Sequence, residues 1–297
     1  MNAINLVAPN VRARLRDLRL VARSGAGGDG LGQHISRSRG AGLEFAQYRA
    51  YEPGDEPRRI DWKLYARSDR YFVREAERDS PLTVWLIIDT TASMKQFDAA
   101  LPGFSKLDAA KGLAACVIEL ALRQADRFGV IALGGTAPLL IPVSGGPRQR
   151  DRCLLEFVRL SAAGHWPDAT LLRPLWERIR PSSLVVFLSD FFDDAVTNLA
   201  TRLAAARREV IAVQLLSAEE RDFPFTGGHR FRDPESTNER RVDAAAVRKV
   251  YLQRFGVARA QLASHLTASG VRNTVHVLDE PLDAPLQRLF GKRQQSA

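Results

Sequence analysis

The stretch VWLIIDTTASM, from Val84 to Met94, decides how this chain is expected to fold. Five consecutive apolar residues lead directly to Asp89, and three small hydroxyl residues follow within the next four positions. A short continuous apolar run is typical of a strand that is buried on both faces of a sheet. The sequence therefore predicts a central strand that ends in a carboxylate surrounded by hydroxyl groups.

Apolar strand-like runs alternate with helical patterns through residues 81–217 and again beyond residue 243. The runs are LTVWLII, FGVIALGG, PLLIPV, SLVVFLS, EVIAVQLL and TVHVLD. Near-continuous apolar strands that alternate with helices are typical of a mostly parallel sheet with helices on both faces. We therefore predict an α/β fold of the doubly wound type, in which PLLIPV forms an antiparallel edge strand.

Changes in composition and hydrophobic pattern along the chain predict two regions. Residues 1–80 are predicted to form an N-terminal helix and an irregular extension rich in arginine and aspartate. Residues 81–297 are predicted to form the α/β domain, with a polar insert at about residues 218–243.

The N-terminal region contains one formal nucleotide-binding pattern, which we reject. Val11, Leu15 and Leu18 recur at the spacing of an amphipathic helix. The SGAGGDGLGQH segment that follows matches G-x-G-x-x-G, but such a site needs a strand before it and a helix after it. Here a helix precedes the glycines and polar residues follow them, so we predict a flexible linker.

The arginine- and aspartate-rich extension shows no helical period, so we expect side-chain hydrogen bonds and ion pairs to hold it. Trp62 is expected to serve as its apolar anchor. The predicted network consists of Arg49, Asp55, Arg59, Asp61 and Arg67.

Composition and charge argue against several classes of protein. The formal net charge is +9, from 43 basic and 34 acidic residues without a block of like charge, so nucleic-acid binding is not indicated. No apolar run approaches the ~20 residues of a membrane-spanning helix, and the N-terminus lacks a signal-peptide pattern. We therefore expect a cytoplasmic protein without a transmembrane segment, in which Cys116 and Cys153 are small core residues.

Oxygen-bearing side chains are predicted at the carboxyl ends of the strands, where ligands bind in open α/β sheets. The candidate ligands are Asp89, Thr91, Ser93, Thr170 and Asp190. Carboxylate and hydroxyl oxygens suit Mg²⁺ or Mn²⁺, whereas Zn²⁺ favours His and Cys. The alternative interpretation is that these residues only cap the helices that follow the strands.

These five positions resemble the metal-ion-dependent adhesion site of von Willebrand factor type A domains. In that family a D-x-S-x-S motif, a threonine from a second loop and an aspartate from a third loop hold the metal. Thr91 stands where the family usually has serine. The resemblance implies a doubly wound, Rossmann-type sheet and a Mg²⁺ or Mn²⁺ ion with one open coordination position, which a carboxylate of a protein partner completes.

The N-terminal extension resembles the bacterial family called domain of unknown function 58, in which such a motif precedes a von Willebrand A-like domain. The segment GLEFAQYRAYEPGDEPRRIDWKLYARSDRYFVRE carries the resemblance, together with FRDPES in the insert. The motif residues that we expect to serve interaction are Arg49, Tyr51, Gly54, Asp55, Arg59, Asp61, Trp62 and Arg67. The resemblance implies a MoxR-type AAA+ ATPase as partner.

Three hypotheses of function follow. The first is a non-enzymatic, metal-dependent protein-interaction module or adaptor, which works with a MoxR-type ATPase in the assembly or maturation of a protein complex. The second is a Mg²⁺-dependent phosphohydrolase with Asp89 as nucleophile and His165 as candidate base, although no lysine beyond Lys95 is well placed to bind phosphate. The third is an adaptor whose metal site has degenerated, with the motif from Arg49 to Arg67 as its working surface.

Overall fold

The computed structural model describes residues 6–22, 45–52, 55, 57–76, 81–135, 138–236 and 238–291. Its helices and strands, in chain order, are α1 (Pro9–Arg14), β1 (Phe45–Ala50), α2 (Trp62–Ser68), β2 (Phe72–Ala76), β3 (Thr83–Asp89), α3 (Lys106–Arg123), β4 (Arg127–Leu133), β5 (Leu139–Ser144), α4 (Pro147–Arg159), α5 (Ala169–Trp176), β6 (Leu184–Ser189), α6 (Asp194–Ala205), β7 (Glu209–Leu216), α7 (Ala218–Asp222), β8 (Gly228–Arg232), β9 (Glu239–Asp243), α8 (Ala244–Ala268), β10 (Arg272–Val277) and α9 (Ala284–Phe290).

The chain divides into two units. The larger unit comprises Met1–Ala26 and Pro81–Ala297, and the smaller unit comprises Gly27–Ser80. The structure thus places α1 with the α/β domain, whereas the sequence grouped it with the extension. The reason is burial: the α1 region contributes Val11 and Leu15 to the core that also contains α3.

Six strands form the central sheet of the larger unit, in the order β10-β7-β6-β3-β4-β5. All neighbouring strands are parallel except β4 and β5, which are antiparallel. The predicted α/β class and the antiparallel edge strand are therefore confirmed. The chain builds outward from β3 in one direction through β4 and in the other direction through β6, so the strand order reverses between β3 and β6.

The two faces of β3 are buried in two separate apolar cores. Val84, Leu86 and Ile88 face the core that includes α3, α4 and α9. Trp85 and Ile87 face the core that includes α5, α6 and the end of α8. Successive residues of a strand point to opposite faces, so an uninterrupted apolar run is what a doubly covered strand requires.

The smaller unit is more regular than its sequence predicted. β1 and β2 pair antiparallel, and α2 lies between them in the chain. The short helix α2 forms without a helical apolar period, because Asp61 caps it: its Oδ1 accepts hydrogen bonds from the backbone N–H groups of Lys63 and Leu64, at 3.0 and 3.1 Å. One N-terminal cap can therefore define a short helix that has no apolar period.

Trp62 is not an apolar anchor, because it is 59% exposed. Its ring contacts the rings of Tyr65 and Tyr71, with centroids 6.1 and 6.5 Å apart. Tyr65 and Tyr71 stack at 4.5 Å. The tryptophan lies at the edge of a small group of aromatic side chains.

The polar insert is an ordered part of the larger unit. It consists of α7 and an antiparallel hairpin of β8 and β9. Aromatic side chains join the insert to α8: the ring of Phe223 lies 4.4 Å from that of Tyr251, and the ring of Tyr251 stacks at 5.4 Å on that of Phe255.

Both cysteines lie in the core that includes α3, α4 and α9, as predicted. Cys116 and Cys153 are buried, and burial raises the pKa of each thiol to about 12. Among the described residues, no helix combines the length and the apolar character that crossing a membrane requires.

His276 in β10 makes the stability of the larger unit depend on pH. Its side chain is fully buried, and neither ring nitrogen has a hydrogen-bond partner among the described residues. Burial lowers its pKa from 6.5 to about 4. The unfolded chain therefore binds a proton at a higher pH than the folded chain, and stability is lost as the pH falls from 6.5 towards 4.

We expect His276→Leu to remove this contribution. Burial raises the pKa of Asp89 and of Asp126 to about 6, so these two groups stabilise the folded state as the pH falls. The contribution of the histidine is therefore isolated by the difference in unfolding free energy between wild type and variant. Relative to wild type, the variant should gain about 3 kcal/mol of unfolding free energy between pH 7 and pH 4. Urea denaturation at both pH values measures it, and a constant difference would contradict the prediction.

Candidate functional site

The candidate site lies where the strand order reverses. Asp89 is the last residue of β3, and Asp190 directly follows the last residue of β6. Because β3 and β6 are parallel neighbours, their carboxyl ends meet at one edge of the sheet. The carboxyl ends of strands at such a reversal are the usual ligand-binding position in open α/β sheets.

Asp89 is buried and held from two sides. Its side chain is 2% exposed. Its Oδ2 accepts a hydrogen bond from Ser189 Oγ at 2.5 Å, and its Oδ1 accepts one from the backbone N–H of Thr91 at 2.9 Å. Burial and then the negative charge of Asp190 raise the pKa of Asp89 to about 6, against the lowering effect of these hydrogen bonds. Two carboxylates of like charge therefore share a site from which water is largely excluded.

The hydroxyl groups after β3 converge beside this pair. Thr91 and Ser93 are buried, and their side-chain oxygens lie 3.1 Å apart within hydrogen-bonding distance. A 3₁₀ turn over Ala92–Lys95 gives the loop this shape. Four of the five predicted ligands, Asp89, Thr91, Ser93 and Asp190, thus lie at the same strand ends.

Thr170 differs from the other four predicted ligands. It is exposed in the first turn of α5, and within the described residues it makes no hydrogen bond to them. The loop before α5 does reach the site, since Ala163 N–H donates to Thr90 O at 2.9 Å and Ala92 N–H donates to Gly164 O at 3.0 Å. The backbone of this loop therefore supports the hydroxyl loop.

Asp190 has a cationic partner that the sequence did not indicate. Lys106 Nζ lies 3.3 Å from Asp190 Oδ2 and 2.7 Å from Glu220 Oε1, and the lysine side chain is 0% exposed. Asp190 Oδ1 also accepts a hydrogen bond from the backbone N–H of Phe192 at 3.2 Å. Lys95 is exposed, whereas Lys106 points into the site, where it is paired with carboxylates rather than open to a phosphate.

The donor set suits a hard divalent cation. Each carboxylate oxygen of Asp89 accepts one hydrogen bond and has two lone pairs, so each keeps one position for a further ligand. Among the described residues, no group of three or more His, Cys, Asp or Glu side chains could hold a metal ion. A cation here would therefore depend on two carboxylates, hydroxyl oxygens and water, as Mg²⁺ usually does.

His165, the candidate base, follows the loop residues Ala163 and Gly164, whose backbones contact the hydroxyl loop. It is exposed, and its Nδ1 is 3.7 Å from Glu235 Oε2 in the insert. This distance is too long for a hydrogen bond.

The motif residues of the smaller unit are used partly for local structure. Asp55 Oδ2 accepts from the backbone N–H of Glu52 at 2.9 Å, and the backbone N–H of Tyr51 donates to Tyr71 O at 2.9 Å. Arg67 is exposed near the end of α2. Gly54 and the glycines of the predicted linker lie outside the described residues, as do the side chains of Arg49 and Arg59.

Sequence reasoning missed Ser189, Lys106 and Glu220. Ser189 had a usable signal, because it directly precedes Asp190 at the end of an apolar run. Lys106 and Glu220 had none, because each opens or caps a helix at a distance along the chain. Only the packing of the loops brings them to Asp190.

Comparison of sequences connects the chain with proteins of undetermined role. The family described as "Protein of unknown function DUF58" matches residues 47–261, more than half of the chain. Uncharacterized proteins of Mycobacterium bovis and Mycobacterium tuberculosis are each 28% identical over 295 residues, which cover 97% of this chain and 92% of each relative.

Comparison of structures finds several similar chains. BatB from Bacteroides thetaiotaomicron has 13% identity and a TM-score of 0.41, over 70% of this chain and 95% of its own. The SpRpn10 VWA domain has 11% identity and a TM-score of 0.41, over 71% and 95%. An aerotolerance-related membrane protein from Bacteroides fragilis has 13% identity and a TM-score of 0.43, over 70% and 96%. The α/β fold of this chain is defined by its own strand order and strand directions.

Gly134 is expected to be required for the hydroxyl loop. Its φ is +130°, and a Cβ there would lie 2.5 Å from the backbone carbon of Thr90 and 2.6 Å from Thr91 N. Gly134→Ala must therefore displace the loop, and we expect it to lower the unfolding free energy by roughly 3 kcal/mol or more.

Gly135 provides the matched control for this prediction. Its φ is +68°, and a Cβ there would meet nothing within 4 Å. Gly135→Ala should cost only the backbone strain, roughly 1 kcal/mol. Chemical denaturation measures the unfolding free energy of the two variants. Equal losses of unfolding free energy would show that the close approach of residue 134 to the backbone of Thr90 does not matter.

Proposed function

The chain belongs to the DUF58 family, and on that premise we propose that it is a non-enzymatic, metal-dependent protein-interaction module. In this proposal, Asp89, Thr91, Ser93 and Asp190 hold a Mg²⁺ or Mn²⁺ ion, with Thr170 as a further ligand from the loop before α5. A carboxylate from a protein partner completes the coordination of the ion.

The observation that carries this proposal is the buried pair of Asp89 and Asp190 beside two hydroxyl groups. Burying two like charges is unfavourable unless a cation compensates them. The raised pKa of Asp89, to about 6, reflects this cost. A divalent ion would relieve it, and the position between β3 and β6 is where the fold accepts ligands.

The chemistry of the protein ligands favours recognition of an anion. When bound, the ion supplies a positive centre that attracts a carboxylate. The hydroxyl groups of Thr91 and Ser93 are neutral, so they would bind the ion without cancelling its charge. Two aspartates and neutral hydroxyls therefore leave affinity for one more anionic ligand from outside.

A phosphohydrolase is less well supported by the geometry. Lys106 is paired with two carboxylates rather than open to a phosphate. An adaptor with a degenerate metal site remains the alternative that the experiments below distinguish.

We propose a MoxR-type AAA+ ATPase as the partner, in the assembly or maturation of a protein complex. This partner follows from the resemblance of the N-terminal motif to its family. The exposed aromatic side chains of Trp62 and Tyr71 in the smaller unit provide a second surface that such a partner can contact.

Mg²⁺ is expected to stabilise the wild-type protein and not the Asp89→Asn variant. At a Mg²⁺ concentration ten times the dissociation constant, the stabilisation is about 1.4 kcal/mol, which corresponds to a rise of roughly 2–4 °C in the unfolding midpoint. Thermal unfolding with and without Mg²⁺ measures the rise. Asp151→Asn is the control, because Asp151 is an exposed carboxylate on α4 and this variant should respond like wild type.

Retention of the partner is expected to require the ion. We expect affinity capture in Mg²⁺ to retain the MoxR-type ATPase, and capture in EDTA or with an Asp89→Asn bait to lose it. Mass spectrometry identifies the retained proteins, and Asp151→Asn again serves as control. Equal capture in all conditions would support the degenerate-site adaptor instead.

A further inference from the structure

Lys106 is an unusual residue for the interior of a protein. It is the first residue of α3, and its side chain is 0% exposed. An ammonium group is almost never fully buried without paired carboxylates and hydrogen bonds, because it loses its hydration. The surroundings of Lys106 must therefore compensate its charge.

In the part of the chain that the structure describes, three groups surround the ammonium of Lys106. Glu220 Oε1 lies at 2.7 Å, Asp190 Oδ2 at 3.3 Å, and the ring centroid of Phe192 at 4.7 Å. Charge-assisted hydrogen bonds between nitrogen and oxygen are typically 2.7–2.9 Å long. The contact with Glu220 thus has the length of a charge-assisted hydrogen bond, and the contact with Asp190 is longer and weaker.

Among the described residues, the charges of this cluster do not cancel. Asp89, Asp190 and Glu220 are three carboxylates, and Lys106 is the cation that contacts two of them. A divalent ion at Asp89 and Asp190 would approach the same carboxylate that Lys106 contacts. Two cations that share Asp190 repel each other, so the lysine and the ion compete for it.

Glu220 connects this cluster to the insert. Its Oε2 accepts a hydrogen bond from the backbone N–H of Ser217 at 2.8 Å, and its own N–H donates to Ser217 Oγ at 3.1 Å, which forms the cap of α7. The hydroxyl of Tyr251 on α8 donates to Glu220 O at 3.0 Å. Glu220 therefore takes part in the cap of its own helix, α7, and its backbone is bonded to α8 through Tyr251.

The loop before α3 makes a second connection to α7. The carboxylate of Asp98 accepts hydrogen bonds from the backbone N–H groups of Ala218 and Glu219, both at 2.9 Å. This loop leads into α3, where Lys106 N–H donates to Gln96 O at 2.9 Å. Hydrogen bonds thus connect the start of α3 to the start of the insert.

We propose that Lys106 is an internal cation that competes with the divalent ion for Asp190. Binding of the ion transfers the ammonium from Asp190 to Glu220 alone, and this transfer couples the metal site to α7 and the hairpin of the insert. The inference rests on the proposed function, because it concerns how that same site is regulated. Lys106 acts on the ion through Asp190 and Glu220 and is a positioning residue rather than a ligand.

Isothermal titration with Mg²⁺ alone tests the competition. We expect Lys106→Met to bind Mg²⁺ about tenfold more tightly than wild type, because the competing charge is gone. Lys111→Met is the matched control on the same helix. Lys111 donates to Leu160 O at 2.8 Å and lies 3.8 Å from Asp108, so its loss should leave the Mg²⁺ affinity unchanged.

A double-mutant cycle tests the role of Glu220. We expect Glu220→Gln to weaken Mg²⁺ binding by roughly threefold or more in wild type, because the ammonium then stays with Asp190. In the Lys106→Met background, the same substitution should have a smaller effect. Hydrogen exchange gives a second readout: Mg²⁺ should change the protection of residues 218–222 in wild type and not in Lys106→Met.

The outcomes separate this inference from the proposed function. If wild type and Lys106→Met bind Mg²⁺ equally, the competition is refuted and the metal site stands. If only Lys106→Met binds Mg²⁺, the competition is supported and the metal dependence of the wild-type protein is refuted. If neither binds, both proposals fail. Should Lys106→Met not fold, an unchanged Mg²⁺ affinity of Glu220→Gln overturns the inference.

Discussion

Asp89 and Asp190 carry like charges into the interior at the point where the strand order reverses, and the surrounding structure is arranged around this unfavourable pair. Ser189 and the backbone of Thr91 donate hydrogen bonds to Asp89, while Lys106 approaches Asp190. Each contact offsets part of the cost of burying a carboxylate. The raised pKa of Asp89, to about 6, indicates that the compensation is incomplete.

The same pair is linked to the insert. Lys106 reaches Asp190 from α3, and its second partner, Glu220, belongs to α7. The insert is therefore connected to the strand ends by charge and to α8 by aromatic packing of Phe223 against Tyr251. Removing one partner of this buried ion pair is costly, because it leaves an uncompensated buried charge.

The smaller unit shows how a dense charged motif can serve local structure. Asp61 caps α2, and Asp55 bonds to the backbone of Glu52. Short side chains with oxygen acceptors satisfy backbone N–H groups that lack partners at turns and helix starts. The 59% exposure of Trp62 leaves its ring available for contact.

The sequence by itself determined the class of the sheet, the antiparallel edge strand and the two aspartates at the strand ends. These features follow from periodicity and from residues adjacent in the chain, because a strand covered on both faces must be apolar throughout. Only the tertiary structure decided that α1 packs in the larger core, that α2 exists, and that Lys106 and Glu220 meet at Asp190. Those outcomes depend on contacts between distant segments and on single capping groups, for which neither hydrophobic period nor spacing carries a signal.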